Sequence, residues 1–332
     1  MTRVGTTVDI LARRPAPVRE LVVGVDGGGT ATRAVIMDAA QQVVAEGQAG
    51  PSNPLRVGVA IATAAVRDAI DHACAQLSIH RDDIRAAAIG LAGVRRLDIR
   101  DRMREEFGQC LKEIKLIELL TDGEIALYGA TDGAPGLVVI AGTGSICCGR
   151  NSQGKHVCAG GWGPIVGDEG GGSWISRKGL QAIAQATDGR GPKTALTAVA
   201  LNYFKIAAAE DLSTAIYAPT ITNDRLAGFG KQVVRVAQAG DEVARAILKS
   251  AGQQLGIAAV AVIRRLRMED EEFRVAYVGG VYGAGDLVLG PMQTEIKRVA
   301  RKAFLAPPLY PPSIAAARIA GGLLRGKLAL AV

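Results

Sequence analysis

Aromatic residues are scarce in this 332-residue chain and make up only 4% of it. Its cores are therefore built mainly from Ala, Val, Leu and Ile, and no basic segment is interleaved with the stacking aromatics of nucleic-acid-binding surfaces. The net charge of +7 is attributed to solvated helix ends and to a basic tail at residues 1–20. We expect no nucleic-acid partner. A functional role that the positive charge could have instead is to provide a favourable electrostatic field for an anionic nucleotide.

Long apolar runs are also missing from the sequence. No stretch reaches the roughly 18 apolar residues that a bilayer-spanning helix needs. Residues 1–20 lack the apolar segment of a signal peptide, although Arg13 and Arg14 form a twin-arginine pair there. These absences predict a cytoplasmic protein without a membrane partner and with a flexible tail at residues 1–20.

The chain has only five cysteines, and their odd number and irregular spacing do not indicate a disulfide framework. A reduced compartment fits this pattern best. Cys147, Cys148, His156 and Cys158 lie close together in sequence, but without the C-x₂-C spacing of many zinc sites. We favour a buried thiol pair with a surface histidine over a metal site.

Glycine, by contrast, is abundant, with 42 residues. The segment LVVGVDGGGT at residues 21–30 is matched by LVVIAGTGS at residues 137–145, and each is followed by two more strand-like runs. The offset of about 115 residues is far longer than the period of a solenoid repeat. The repeat therefore predicts two similar domains that face each other across a cleft, with a nucleotide held between their glycine turns.

The order of predicted elements in the first half is β-β-β-α-β-α-β-α, which is typical of a mixed-sheet α/β domain. We place a first domain at residues 21–133 and a second at 134–312, with a helical insertion at 193–240. A long helix at 241–267 begins with Asp241 as its N-cap. The last helix, at 313–328, is expected to fold back and join the first domain.

The first glycine turn follows a strand that ends at Asp26. Consecutive backbone N–H groups at Gly28 and Gly29, with the Thr30 hydroxyl, are suited to phosphate oxygens, and the Asp26 carboxylate could hold Mg²⁺ directly or through water. The turn is neither a Walker A loop nor a dinucleotide fingerprint. A plain β-hairpin is the alternative, which the second turn at residues 142–145 makes less attractive. A third turn, Gly279 and Gly280, follows a predicted strand at 274–278.

Asp122 follows an apolar strand at residues 114–120 and opens a helix, whose positive end should keep its carboxylate ionised. Such a carboxylate can accept the hydroxyl proton in phosphoryl transfer to an alcohol; the alternative role is a helix N-cap. The string GGWGPIVGDEG at residues 160–170 is too rich in glycine for a core. It favours a functional loop over a polar ligand.

Together these segments resemble the BadF/BadG-type ATPase family, and within it the N-acetylglucosamine kinases. The resemblance rests on VGVDGGGT, TDGEIA, IAGTGS, GGWGPIVGDEGGGSWI and the late VGG, and it runs from about residue 22 to 322. It implies an α/β fold of two RNase H-like (actin-like ATPase) domains that close over ATP, Mg²⁺ and a substrate. It also implies a homodimer.

The resemblance also implies roles for individual residues. Asp122 corresponds to the base that takes the proton of the sugar 6-hydroxyl. The implied nucleotide contacts are Asp26, Gly28, Gly29 and Thr30 at one phosphate site, Gly144 and Ser145 at a second, and Gly279 and Gly280 at the adenosine. The implied sugar contacts, besides Asp122, are Asn53, Thr143, Gly160, Gly161 and Asp168. The chain departs from many relatives at Ala31, where they carry a basic residue, and at Pro54 and Leu55 beside the sugar.

The sequence is thus interpreted as an ATP-dependent amino-sugar kinase that forms N-acetylglucosamine 6-phosphate. Glucosamine, N-acetylmuramic acid or another hexose are alternative substrates. Two other functions stay open: the ATPase activator of a radical dehydratase or CoA reductase, and a non-catalytic sugar sensor. The first requires well-placed cysteines for a shared iron–sulfur cluster, and the second a DNA-binding domain for which a 20-residue tail is too short.

Overall fold

The two halves of the chain form two five-stranded sheets of the same topology. The structure, a computed structural model, describes residues 20–326. The first sheet contains β1 (Leu21–Gly27), β2 (Thr32–Met37), β3 (Val43–Ala49), β4 (Ile84–Leu91) and β5 (Leu116–Thr121). The second contains β6 (Gly136–Ala141), β7 (Ser145–Arg150), β8 (His156–Gly160), β9 (Arg274–Val278) and β10 (Phe304–Ala306).

Strand order confirms the internal duplication. The sheets run β3-β2-β1-β4-β5 and β8-β7-β6-β9-β10. In each, the first three strands form an antiparallel meander, a fourth strand pairs in parallel with the first, and a fifth pairs in parallel with the fourth. The central strands β1 and β6 are buried on both faces, which explains their nearly continuous apolar sequences. The predicted α/β class with mixed sheets is confirmed.

Eleven α-helices lie within residues 20–326. They are α1 (Pro54–Val57), α2 (Val59–Leu77), α3 (Leu97–Cys110), α4 (Asp122–Thr131), α5 (Gly172–Thr187), α6 (Leu196–Phe204), α7 (Leu212–Ile216), α8 (Asn223–Gln238), α9 (Glu242–Leu266), α10 (Asp286–Lys297) and α11 (Pro312–Leu324). The apolar spacing at residues 55–77 predicts one helix, but the structure has two, because Gly58 between them has a φ of +82°, which interrupts the helix. The sequence at 286–304 also predicts one largely helical segment, but α10 ends at Lys297 and the chain then enters β10.

The last helix lies against the first sheet. Helix α11 packs across β1 and β4, where Ala316, Ala317 and Ile319 join the apolar layer of that sheet. The Arg318 guanidinium donates to both carboxylate oxygens of Asp132, at 3.0 and 2.9 Å, and so ties α11 to the end of α4. The predicted tail, residues 1–20, lies almost wholly outside the described residues, as do positions 327 and 328 of the predicted last helix.

Helix α9 begins as predicted, with Asp241 as its N-cap accepting a hydrogen bond from the Ala244 N–H at 2.8 Å. The same carboxylate accepts the Ala195 N–H at 2.8 Å, which joins the helical insertion to α9. By length and composition alone α9 resembles a membrane-spanning helix. In this fold one side of it, including Leu255, is buried against β7, β8 and α10, as in the core helix of a globular domain.

Candidate active site

The two glycine turns expose the same kind of backbone donor pair. In the first turn the Gly28 N–H closes the loop by donating to the Ala31 carbonyl at 3.1 Å. Within the described residues, the next two N–H groups, of Gly29 and Thr30, donate no hydrogen bond, and both residues are exposed. The backbone donors of this turn that remain free are therefore those of Gly29 and Thr30, whereas the Gly28 N–H is already engaged.

The second turn repeats this arrangement. The Gly142 N–H donates to the Gly144 carbonyl at 2.9 Å, and among residues 20–326 the Thr143 and Gly144 N–H groups have no hydrogen-bond acceptor. The Ser145 hydroxyl is occupied, because it donates to the Glu169 carbonyl at 2.8 Å. Two consecutive free N–H groups at the end of a strand form an anion-binding concavity, and the structure shows one in each half of the chain.

Asp26 and Asp122 lie close enough for their charges to interact, although Asp26 is on β1 and Asp122 begins α4 after β5. Burial is the main cause that raises the pKa of Asp26 to about 6, the charge of Asp122 raises it further, and Arg33 on β2 opposes both. A half-buried carboxyl without a full counter-charge has an oxygen atom available for a hard cation, and Mg²⁺ prefers such oxygen ligands. The chemistry at Asp26 therefore fits a magnesium site.

Asp122 is the first residue of α4 but does not cap that helix. Thr121 is the N-cap: its hydroxyl accepts the Glu124 N–H at 3.1 Å, and the Glu124 carboxylate accepts the Thr121 N–H at 2.6 Å. The cap role considered for Asp122 from the sequence is therefore wrong. Its carboxylate accepts the Gly123 N–H, at 2.9 Å, and Asp122 is exposed.

The pKa of Asp122 is raised rather than lowered. Although its side chain is exposed to the cleft, the surrounding protein removes enough water that desolvation outweighs the two backbone N–H groups at the start of α4. The helix terminus was expected to dominate this balance. A carboxylate with a raised pKa is a stronger proton acceptor, which suits the role of a general base.

Asn53 is fixed between the first glycine turn and the end of β4. Its N–H donates to the Gly28 carbonyl at 3.2 Å, and its side-chain oxygen accepts the Leu55 N–H at 3.0 Å, so it caps α1. Its side chain also contacts Gly93 at a position that a Cβ would occupy. The structure thus places this predicted sugar contact next to the phosphate turn.

The loop at residues 160–170 folds against the second glycine turn. The Gly161 N–H donates to the Ser145 carbonyl at 2.9 Å. Asp168 is buried, and its carboxylate contacts Gly144 where a side chain would otherwise stand. Asp168 also has a φ of +58°, a left-handed conformation that is costly for a non-glycine residue and concentrates at functional sites. These contacts bring Thr143, Gly144, Gly161 and Asp168 together.

A cavity of about 310 Å³ lies beside the second turn, and it is lined by that turn, the start of α5, α8 and the turn after β9. Gly142, Thr143 and Gly280 come from the predicted nucleotide turns. The other wall is the inner face of α8, formed by Asp224, Ala227, Gly228 and Lys231. Sequence analysis missed this wall. The helical spacing of these residues could have revealed it, but they lie in the insertion at 193–240, to which no role had been assigned.

The expectation that the cysteines are free thiols is wrong for Cys148 and Cys158. Cys148 on β7 lies directly opposite Cys158 on β8, with 4.1 Å between their Cα atoms, and the two form a disulfide. The ligand atoms of Cys148, Cys158 and His156 lie within 4.8 Å of one another, but bonded sulfurs do not act as thiolate ligands. Cys147 is a free, buried thiol, and burial raises its pKa.

Comparisons with known proteins identify amino-sugar kinases among the relatives of this chain. An N-acetylmuramic acid/N-acetylglucosamine kinase of Clostridium acetobutylicum is 34% identical over 260 residues, covering 78% of this chain and 85% of that protein. An N-acetyl-D-glucosamine kinase of Dictyostelium discoideum is 33% identical over 272 residues, covering 79% and 85%. A Chromobacterium violaceum structure provisionally assigned as an N-acetylglucosamine kinase has 27% identity and a TM-score of 0.75, covering 91% of this chain and 99% of that one.

The family relation rests on most of the chain. The model of the BadF/BadG/BcrA/BcrD ATPase family matches residues 23–317, from β1 into α11. The match includes both glycine turns, Asp122 and the loop at 160–170. The chain belongs to the BadF/BadG/BcrA/BcrD ATPase family.

Proposed function

We propose that this protein is an ATP- and Mg²⁺-dependent kinase that phosphorylates the 6-hydroxyl of an amino sugar, with N-acetylglucosamine as its first candidate substrate. The observation that carries the proposal is a free carboxylate, Asp122, in a cleft that also holds two pairs of unpaired backbone N–H groups. Relatives at 33–34% identity are kinases of N-acetylated amino sugars. A base beside phosphate-binding turns is the arrangement that phosphoryl transfer to an alcohol requires.

In the proposed reaction, Asp122 accepts the proton of the sugar hydroxyl while the sugar oxygen bonds to the γ-phosphorus of ATP. The bond from that phosphorus to the β,γ-bridging oxygen breaks, and ADP leaves. The N–H groups of Gly29, Thr30, Thr143 and Gly144 would hold the phosphate oxygens, and Gly279 and Gly280 would adjoin the adenosine. Mg²⁺ held at Asp26 would neutralise negative charge on the phosphates.

The proposed sugar subsite lies on the other side of Asp122. Asn53 borders it from the first half of the chain, and Thr143, Gly160, Gly161 and Asp168 border it from the second. Asp168 is held beside Gly144 by a strained backbone, so its carboxylate is already positioned for a sugar hydroxyl before any ligand binds. Such preorganisation lowers the entropic cost of orienting the substrate.

The test is a coupled assay of ADP release over a panel of N-acetylglucosamine, glucosamine, N-acetylmuramic acid, N-acetylmannosamine and glucose. We expect the highest kcat/KM for N-acetylglucosamine and a product phosphorylated at the 6-position, identified by NMR. Turnover of ATP that no sugar stimulates would refute the proposal. Binding of sugar without turnover would instead favour a sensor.

The activator alternative receives no support from the cysteines. Outside the disulfide, the free cysteines among residues 20–326 are Cys74 and Cys147, which are buried, and Cys110, which is half-buried. They lie on separate elements and do not form an exposed cluster-binding face. Iron in the purified protein would revive this function, and its absence together with sugar-dependent turnover would end it.

Two further parts of the proposal concern the setting of the enzyme. We place it in the cytoplasm, where its co-substrate ATP is made, and as a homodimer, as the family resemblance implies. The first part predicts that Cys148 and Cys158 are thiols in the cell, because a reducing compartment disfavours the cross-strand disulfide that the structure shows. Sedimentation velocity at micromolar concentration tests the second.

The raised pKa of Asp26 predicts a pH dependence of Mg·ATP binding. A carboxyl with a pKa of about 6 loses its proton only above that pH, so the charged metal ligand disappears as the pH falls. We expect Mg·ATP affinity to decline below about pH 6, approaching tenfold per pH unit. Isothermal titration calorimetry between pH 5 and 8 measures this change in affinity. The same measurement on Asp26→Asn, which lacks the titrating carboxyl, gives the part of the pH dependence that is due to protonation of the nucleotide itself.

The variant Asp122→Asn provides a second check of the same prediction. Since the Asp122 charge raises the Asp26 pKa, its removal should move the acid midpoint of binding to lower pH. Equal pH profiles for wild type and Asp26→Asn would contradict the assignment of Asp26.

A further inference from the structure

Arg56 lies at the first glycine turn and reaches across the cleft. One nitrogen of its guanidinium stands 3.0 Å from the position that a Cβ would occupy on Gly29. The same nitrogen is 3.5 Å from a carboxylate oxygen of Asp224 on α8. Arg56 therefore touches the turn that presents the Gly29 and Thr30 N–H groups, and it pairs with a residue from the wall of the 310 Å³ cavity.

The local structure holds Arg56 there. It is the third residue of α1, a one-turn helix that Asn53 caps, and its N–H donates to the Asn53 carbonyl at 2.9 Å. Asn53 is itself bonded to Gly28. The backbone of Arg56 is thus fixed relative to the glycine turn, while its long side chain remains half-exposed in the cleft.

The turn has no cation of its own. Ala31 follows Thr30, and Arg33, two residues later, lies opposite Asp26 in the β1–β2 pairing and acts on that carboxylate. Arg33 thus acts electrostatically on Asp26, whereas the Arg56 guanidinium is adjacent to Gly29. A phosphate bound at the Gly29 and Thr30 N–H groups would lie next to its guanidinium.

The ion pair between Arg56 and Asp224 can readily give way to a pair between Arg56 and a bound phosphate. Both side chains are largely solvent-accessible, at 49% for Arg56 and 66% for Asp224, and exposed ion pairs of this kind contribute little stability. A phosphate is a better partner, because it offers several charged oxygens that match the two-pronged guanidinium. Releasing Asp224 therefore costs little when a nucleotide enters.

We infer that Arg56 binds the terminal phosphates of the nucleotide, supplying from α1 the positive charge that position 31 lacks, and that Asp224 is its resting partner in the empty cleft. This inference rests on the proposed nucleotide role of the cleft. It assigns Arg56 to phosphate binding and not to the sugar, so its effect appears in nucleotide affinity without any sugar present.

The test is calorimetric binding of Mg·ATP, Mg·ADP and AMP to wild type, Arg56→Ala and Arg56→Lys. Loss of a charge-assisted contact should weaken ATP and ADP about tenfold or more, leave AMP within twofold, and place Arg56→Lys between the two. Arg67→Ala is the matched control, since Arg67 is 42% exposed and also ion-paired, with Asp68 at 3.1 Å. The control should bind all three nucleotides as wild type does.

Equal weakening of AMP and ATP in Arg56→Ala, or no weakening, overturns the inference. The variant Asp224→Asn tests whether the ion pair has a purely structural role. The quantity compared between variants is the ratio of ATP affinity to AMP affinity. Arg56→Ala should lower this ratio, whereas Asp224→Asn should raise it by removing the competing carboxylate. A ratio lowered in both variants means that the pair acts as a strut, and the inference fails. These results are independent of the sugar panel, which alone decides whether the protein is an amino-sugar kinase.

Discussion

Replacing Asp122 with asparagine is expected to lower kcat with sugar by about a thousandfold, while ATP affinity changes by less than a few-fold. A positioned general base contributes about 10²–10⁴ to the rate, and the amide cannot accept the hydroxyl proton. The fold should survive, because the Asn oxygen can accept the Gly123 N–H in place of the carboxylate and Thr121 caps α4. Steady-state kinetics and calorimetric ATP binding measure the two effects separately.

Glu124→Gln is the matched control for this variant. Glu124 is the other carboxylate of the first turn of α4, but it is bonded to Thr121 and Arg100. Its substitution should cost about 1 kcal/mol of stability through the weakened capping box and leave kcat within a few-fold. Full activity in Asp122→Asn, or an equal loss in both variants, would show that Asp122 is not the base.

The repeat was predictable because its signal is local. A run such as LVVGVDG can bury both faces only as a central strand, and the glycines that end it fix the turn. The same pattern at residues 137–145 therefore predicted a second sheet, and the structure gives it the same topology. The N-cap at Asp241 was equally local, since it depends only on the start of one helix.

The disulfide was not predictable because it depends on strand register. A turn at residues 151–154 followed by a strand from 155 would pair Arg150 with Lys155 and set Cys148 opposite Val157. The structure starts β8 at His156 and pairs Arg150 with that residue. This shift of one residue brings Cys148 opposite Cys158, and a one-residue shift also changes which face each side chain occupies.

Contacts in the cleft were also not predictable from the sequence, because they join residues that are far apart along the chain. The two glycine turns were recognised, but which of their N–H groups are free depends on turn closure at Gly28 and Gly142. The wall formed by α8 and the pairing of Arg56 with Asp224 connect residues far apart in sequence. No local pattern encodes such a contact. The raised pKa of Asp122 likewise depends on how densely the surrounding elements pack.

The largest expected effect on stability is that of Gly24→Ala. Gly24 lies in the middle of β1, and a Cβ there would overlap the backbone of α11 at Ser313 and Ala317. Backbone atoms of a packed helix cannot rotate away as a side chain can, so α11 would have to separate from the sheet. We expect a loss of about 3 kcal/mol in the free energy of unfolding, measured by urea denaturation.

Gly108→Ala is the control, because nothing lies within 4 Å of the Cβ that it would add. Gly108 is inside α3, where alanine should stabilise the helix by up to about 1 kcal/mol. The two substitutions add the same methyl group and should therefore move the urea midpoint in opposite directions. If Gly24→Ala instead retains wild-type stability, α11 does not rest on β1. The closure of the first domain by the end of the chain would then have to be abandoned.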